Sequence, residues 1–426
     1  MRRRAGQQCC GRSIESSSDG GGFCRCGCCR KKGIQCRTDA EKRIRHCNKP
    51  AHLFSRSKSM SSAPEWLSNE QESASLAAML SPSSPLSLES LAAESKAITL
   101  RRFGRTISLY APLYLSNHCS SGCIYCGFAS DRTTLRRRLE PDEIERELLA
   151  MKKLGISDIL LLTGERTKAA DFDYLRRAVE IAARSTQRVS VEAFPMSVAE
   201  YRTLAECGCT GITIYQETYN RERYEELHRW GPKKDFLDRL ETPARALEGG
   251  IKTVGLGVLL GLSEPVEDAL MLYRHVRHLS RAYWRAGISV SFPRMRPQTG
   301  GYEPPFPVDD HFLARMIFTF RIALPDVELV LSTRESAAYR DGMAGLGITR
   351  MSIASRTTVG GYDENNTDKG QFDVFDDRTA EEFCAALRAR EIEPVFKNWE
   401  PVFNGPSGTQ SRTLTQEGNC THATER

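Results

Sequence analysis

The 426-residue sequence predicts an α/β fold, a (β/α)8 TIM-type barrel preceded by short N-terminal helices and followed by a C-terminal extension. Three observations lead there. Short, near-continuous apolar runs alternate with amphipathic stretches from residue 106 to residue 354, the pattern of parallel strands buried on both faces. The runs number eight, which favours a closed barrel over an open sheet. Polar residues crowd immediately after each run, and a barrel carries its functional groups at the C-terminal ends of its strands.

In chain order, residues 1–65 are rich in Arg, Ser, Gly and Cys with almost no apolar periodicity, and are expected to be disordered. CRCGCC (residues 24–29) leaves a zinc-binding or redox-sensing reading open, and a targeting peptide is a further alternative. Met60 opens a conventional soluble sequence, MSSAPEWLS, so residues 1–59 read as an over-extended start. Within 66–105, two apolar-periodic stretches between Asn69 and Glu94, around the break SPSSPLS, predict short helices capping the entrance to a barrel at 106–362. The first strand, 106–115, runs straight into a cysteine loop. Pro141 then stands at a helix N1 position with Asp142 and Glu143 in the first turn; Ile144, Leu148, Met151 and Leu154 share a face, and Gly155 closes the helix. The unit recurs as strands over 158–162, 189–194, 211–215, 251–260, 288–292, 327–331 and 349–354. Helices are expected over 171–184, 198–207, from about 242, from Pro265, around 311–323 and just after Glu335. Residues 363–403 are expected to pack on the barrel, and the polar, Ser/Thr-rich residues 404–426 to be disordered.

Composition narrows the function classes. No run of eighteen apolar residues occurs, so no membrane-spanning helix is expected. The formal charge of +6 divides unevenly: residues 1–59 hold 15 Lys+Arg against 4 Asp+Glu, which is +11 and leaves −5 for the rest. The body therefore offers no electrostatic case for nucleic acid. Eight of the fifteen cysteines also fall in that tail, and of the other seven only Cys119, Cys123 and Cys126 stand together. That distribution argues for a reducing compartment and against a disulfide framework.

Those three cysteines, CSSGCIYCGF at residues 119–128, have the spacing C-x3-C-x2-C at the end of an apolar strand. They can ligate three irons of a [4Fe-4S] cube and leave the fourth open to a substrate or cofactor. Buried free thiols, or a zinc knuckle with His118 as a further ligand, are the alternatives. Around them the strand ends supply Thr163-Gly164-Glu165, Glu192 with Phe194-Pro195-Met196, Tyr215-Gln216-Glu217-Thr218, residues 255–261, residues 291–297, Ser332-Thr333-Arg334-Glu335, and Ser355 with Gly360-Gly361-Tyr362. Together they ring one rim with carboxylates, arginines and amides.

The cysteine loop, with Tyr125 before its third cysteine, resembles the signature of radical S-adenosylmethionine (SAM) enzymes. LYLSN, LLLTGE, IYQETY, GPKKDF, VGLGVLLGL, SVSFPR and LSTRE resemble, in that order, the 2-iminoacetate synthase family over roughly residues 70–400. The resemblance implies a radical SAM barrel with one [4Fe-4S] cluster on Cys119, Cys123 and Cys126, and SAM on the open iron. It implies Glu165 as acceptor for the SAM ammonium, Arg239 at the SAM carboxylate, Tyr125 near the adenine, and Gln216 and Glu217 at the ribose or the substrate edge. Each has a plainer reading: a helix N-terminal acid for Glu165, a surface arginine for Arg239, rim packing for Tyr125, solvated loop positions for Gln216 and Glu217. The implied substrate is L-tyrosine, cleaved between Cα and Cβ to 2-iminoacetate and p-cresol for the thiazole of thiamin. Its carboxylate calls for a bidentate cation, for which Arg294, Arg296 and Arg334 are candidates, with Ser291 and Ser332 as neutral donors beside them. Pairing of an arginine with a structural acid such as Glu335 is the competing role. The implied partners are a low-potential reductant such as flavodoxin or ferredoxin and the thiazole synthase, with no nucleic acid or membrane. The implied location is cytoplasmic, or the organellar stroma in a eukaryote.

Two other readings remain at this level. The tyrosine lyase of hydrogenase cofactor assembly carries a further C-terminal cysteine set, whereas after residue 360 this chain has Cys384 and Cys420 alone. QFDVFDDR (371–378) and EPVFKNWEP (393–401) instead resemble the tail of the thiazole-pathway enzymes that packs over the barrel. An iron-sulfur scaffold or redox sensor without SAM would leave the strand-end residues idle.

Overall fold

A computed structural model of the chain describes residues 64–81, 83–363 and 370–397. The tails at 1–63 and 398–426, with the expectations about Met60 and CRCGCC, lie outside these residues. Among the described residues no helix is long and apolar enough to cross a membrane.

The barrel strands are β1 (Thr106–Tyr114), β2 (Asp158–Leu162), β3 (Arg188–Glu192), β4 (Cys209–Thr213), β5 (Thr253–Gly257), β6 (Gly287–Ser291), β7 (Glu328–Leu331) and β8 (Arg350–Ser352). Each pairs in parallel with the next, and β1 pairs with both β2 and β8, which closes the cylinder. A short extra strand, β9 (Glu393–Val395), also lies parallel to β1. Ser108 faces Arg350 on one edge and Val395 on the other, so β9 occupies, lower down, the edge that β2 takes from Ala111 onward. Inside the barrel floor Asp158 sits between Arg350 at 2.8 Å and Arg188 at 3.6 Å, a buried carboxylate paired from both sides.

The helices are α1 (Glu70–Leu80), α2 (Leu88–Phe103), α3 (Pro141–Lys153), α4 (Phe172–Ser185), α5 (Val198–Glu206), α6 (Arg221–Leu227), α7 (Phe236–Glu248), α8 (Pro265–Ala282), α9 (Asp310–Ala323), α10 (Ala337–Met343) and α11 (Ala380–Arg388). Their starts follow capping chemistry. Glu140 and Glu143 form a capping box ahead of α3, Ser197 and Glu200 one ahead of α5, and Asp171 caps α4 through Tyr174 N.

Four expectations shift. α2 runs to Phe103 because Ser95 and Thr99 fill core positions on its buried face, which breaks the apolar period; Ser95 Oγ donates to Leu346 O at 2.7 Å. α1 and α2 pack along the outside of α8 and α9, on the flank of the barrel and not over its entrance. α7 starts at Phe236, not near 242, because Asp235 accepts from Leu237 N and Asp238 N; Pro243 is thus an interior proline, not an N1 residue. β8 ends at Ser352 since Ala354, at φ 46°, turns the chain away. α6, α11 and β9 were not anticipated as elements.

Arg321 of α9 is fully buried, and its guanidinium donates to the carbonyls of Gly347, Leu324, Pro325 and Val327 at 2.8–3.3 Å. Arg321→Met takes the side-chain donor from all four carbonyls, of which Leu324 O keeps Val327 N at 3.4 Å. It is expected to lower the unfolding free energy by about 3 kcal/mol, read as an earlier urea midpoint at unchanged slope.

Candidate active site

β1 delivers the cysteine loop to the top of the barrel, where arginines hold it by its carbonyls. Arg132 donates to Ile124 O at 2.8 Å and Cys126 O at 3.2 Å; Arg136 donates to Asn117 O at 2.6 Å and Phe128 O at 2.9 Å. A guanidinium suits this because its N–H donors fan out in one rigid plane. From the β2 side Gly164 touches the loop: a Cβ there would stand 2.5 Å from His118 O and 2.7 Å from Cys119 Cβ, so the close approach needs glycine.

Cys119, Cys123 and Cys126 line one cavity. Glu165 N and Phe128 N donate to the sulfurs of Cys119 and Cys126, each at 3.4 Å, and Gln371 Nε2 stands 3.6 Å from Cys126 Sγ. Burial pushes the Cys119 thiol up to about 11, with Cys126 adding to it, and burial also raises that of Cys123. A bound metal centre reverses this by stabilising thiolates. Among the described residues no three His, Cys, Asp or Glu side chains converge as a single ion requires, whereas an iron-sulfur cube takes each thiolate on a different iron. His118 is not on the cavity wall. The donor set fits the cube and not a zinc ion.

The cavity holds about 1010 Å³ of atom-free space, the solvent at its open mouth included. Charged side chains from β2, β4 and the approach to α7 cross its wall. Arg239, in the first turns of α7, pairs with Glu165 Oε1 at 2.9 Å and donates through Nε to Tyr215 O at 2.6 Å. Lys233 Nζ holds Glu217 Oε1 at 2.6 Å, and Arg239 Nη2 lies 3.9 Å from the same oxygen. Burial opposes the charge on Arg239, but Glu165, Tyr224 and Glu217 outweigh it and its pKa moves up. Glu165 Oε2 is buried without a partner. A buried carboxylate oxygen without a donor, on a residue of the cavity wall, is suited to a cationic donor such as the SAM ammonium.

Tyr125 forms part of the wall, and its hydroxyl lies 2.8 Å from His228 Nε2. His228 Nδ1 faces Tyr224 O at 2.7 Å and must donate there, so Nε2 accepts from the phenol. Burial, with Lys233 next, drives the imidazole down to about 2, which keeps it neutral.

Four expected site residues are placed elsewhere. Gln216 is not on the wall: Tyr215 and Glu217 point into the cavity, and the residue between them turns outward and donates to Phe236 O at 3.2 Å. Ser291 sits one layer lower, in a separate polar space within the barrel, with Tyr215 lining both. Arg294 is taken up by Glu335 and by Asp310 at 2.7 Å. Ser332 accepts from Arg334 N at 3.4 Å and shapes the turn outside the cavity.

The remaining candidates are inside. Arg296 reaches the wall, pairs with Glu335 at 2.7 Å and keeps a buried Nε without a partner. Arg334 also reaches it, resting 3.4 Å over the Phe372 ring and donating to Arg294 O at 3.4 Å, with no carboxylate paired to it among the described residues. Opposite in charge, Glu192 at the end of β3 lines the same cavity, its carboxyl pushed up to about 7 by burial and then by Glu217. Glu192, Tyr215 and Lys233 lay within quoted motifs without an assigned role, and the parity of the strand ends would have found the first two. Gln371 and Phe372 arrive from far along the chain, in the QFDVFDDR motif expected to pack over the barrel, where no site role was assigned to them.

Comparison with known proteins fits this geometry. Residues 113–276 match the Radical SAM superfamily, and residues 291–393 the Biotin and Thiamin Synthesis associated domain. A 2-iminoacetate synthase of Escherichia coli is 41% identical over 324 residues, 76% of this chain and 86% of that protein. One of Salmonella typhimurium is 40% identical over 336 residues, 79% of this chain and 89% of the relative. Among solved structures HydG, a maturase of the [FeFe]-hydrogenase, superposes with a TM-score of 0.74 at 27% identity, covering 78% of this chain and 81% of its own. Barrel, cysteine rim and both domain matches agree with these relatives along most of their length, and the chain belongs to the 2-iminoacetate synthase family of the radical SAM superfamily.

Proposed function

We propose that the chain cleaves the Cα–Cβ bond of L-tyrosine to 2-iminoacetate and p-cresol, with SAM consumed to methionine and 5'-deoxyadenosine, for the thiazole moiety of thiamin. The observation that carries this is one cavity with three cluster cysteines on its wall and, on the same wall, Arg334, a guanidinium paired with no carboxylate among the described residues, together with the desolvated carboxyl of Glu192. When bound, the [4Fe-4S] cluster and SAM supply a 5'-deoxyadenosyl radical that takes a hydrogen atom from the substrate.

The residues divide the rest of the work. Cys119, Cys123 and Cys126 hold three irons. Glu165 accepts from the SAM ammonium through its open oxygen, and Arg239 beside it serves the SAM carboxylate; Tyr125 packs toward the adenine. Glu217, oriented by Lys233, faces the ribose or the substrate edge. Arg334 binds the tyrosine carboxylate, stiffened by Phe372 beneath it, and Glu192 accepts from the substrate ammonium. Arg296 contributes its free Nε. Phe128, Leu162 and Phe372 exclude water from the reacting carbon.

A low-potential carrier such as flavodoxin or ferredoxin would be the electron source, and the thiazole synthase the consumer of the imine, in a cytoplasmic compartment. The hydrogenase-maturation reading is disfavoured because Cys384 is buried in the hydrophobic core of α11 and serves packing.

Under anaerobic conditions with dithionite, SAM and tyrosine, the reconstituted enzyme is expected to release p-cresol and 5'-deoxyadenosine; deoxyadenosine without p-cresol would remove tyrosine cleavage and leave the superfamily standing. Iron analysis should give about one cube per chain, and two cubes would revive the hydrogenase-maturation reading. Arg334→Gln should raise KM for tyrosine about 10- to 150-fold, the worth of a charge-assisted pair, while SAM cleavage without substrate persists; an unchanged KM would reassign the carboxylate to Arg296.

A further inference from the structure

The segment beyond the barrel brings one side chain up to the cysteines. Gln371 lies on the cavity wall beside Cys126, and the cleavage chemistry gives it no task. Its backbone is fixed from several sides. Gln371 N donates to Thr357 O at 3.0 Å, and Asp373 N to Pro297 O at 3.1 Å. Gln371 O packs so closely on Gly127 that a Cβ built there would stand 2.6 Å from it. Gly127 directly follows Cys126, so the segment is seated on the cysteine loop itself, and a side chain at 127 would lift it off.

The side-chain amide is fixed as well. Gln371 Nε2 lies 3.6 Å from Cys126 Sγ, and the Tyr114 hydroxyl donates to Gln371 Oε1 at 2.8 Å. Charge selects this orientation of the amide over its flipped form. A sulfur that ligates iron is a thiolate, which repels a carbonyl oxygen and accepts from an N–H. The amide oxygen then faces the phenol of Tyr114, which burial keeps protonated and able to donate. Cys126 thus receives two N–H groups, that of Phe128 N at 3.4 Å and that of Gln371. The first is set by the fold of the loop; the second comes from 245 residues further along the chain.

We propose that Gln371 is a positioning residue of the cluster, whose amide N–H, held in place by Tyr114, donates to the Cys126 thiolate and makes the cluster easier to reduce. The reason is electrostatic. Reduction brings one electron from an external low-potential reductant onto the cube, no bond forms or breaks, and part of the added charge falls on the thiolate sulfurs. An N–H dipole aimed at one of them stabilises the reduced state more than the oxidised one. The inference rests on the cluster assignment and not on tyrosine as substrate.

The test uses the full chain with its cluster loaded, without SAM or tyrosine. The midpoint potential is read by electron paramagnetic resonance during titration with dithionite and mediator dyes. The chains compared are the wild type, Gln371→Leu, Tyr114→Phe, and Phe375→Leu, which alters the same segment at a half-exposed ring off the cavity wall. In Gln371→Leu the equilibrium constant for reduction is expected to fall about tenfold, which for one electron is a midpoint about 59 mV more negative. Tyr114→Phe keeps the donor but releases its oxygen end, and should shift the midpoint the same way by less. Phe375→Leu should leave it in place. An unchanged midpoint in Gln371→Leu would overturn the proposal; should that variant load less iron, an unchanged midpoint in Tyr114→Phe does so. An equal shift in Phe375→Leu would also overturn it, since loosening the segment would then be enough. A wild-type chain that takes up no cube would remove the proposal together with the cluster assignment. Because no substrate is present, a failed p-cresol assay leaves the result standing.

Discussion

The buried ion pair between Glu165 and Arg239 is the contact on which the site depends. One guanidinium takes hold of the end of β2 through Glu165, of the chain beyond β4 through Tyr215 O, and belongs itself to α7. Two charges taken out of water are costly unless nearly all their hydrogen-bonding capacity is met. Here the guanidinium is met by Glu165 Oε1 and Tyr215 O, while Glu165 Oε2 is buried without a donor. The rim is thus rigid where protein meets protein and unsatisfied where a cation can bind, which is how a preorganised site differs from a merely polar one.

Much of the barrel was legible in the sequence. β2 was read to the residue, since DILLL is apolar except at its edge and sits between clear helix signals, and Pro265 marked the start of α8 correctly. The failures have physical causes. Pro243 looks like a helix start because proline is tolerated at N1, but the cap at Asp235 makes an earlier start more favourable. Ser95 and Thr99 conceal a buried face because their hydroxyls find backbone carbonyls, which period analysis cannot see.

At the site, the cysteines could be read because their ligand spacing is local. Direction was harder. Gln216 and Glu217 are neighbours of equal polarity, and the alternation of the chain sends one outward and the other in. Arg294 and Arg296 do share an orientation, and both reach Glu335; only the surroundings show that Asp310 also claims Arg294. The segment at 371–376 was the least legible part of the wall. Gln371 bonds the Tyr114 hydroxyl at 2.8 Å, Phe375 N bonds Thr333 O at 2.9 Å, and Asp376 is clamped by Arg340. None of these partners is near it in sequence.

The strand β9 has a bearing on how the molecule is made. It pairs with the lower end of β1, the first barrel strand to be synthesised, and Phe396 O just after it accepts from Ser157 Oγ at 2.7 Å beside β2. Contacts of such long sequence separation form late. On the ribosome the cysteine loop therefore emerges long before Gln371 and Phe372 can cover it, and the wall of the cavity is completed only when the end of the chain has docked.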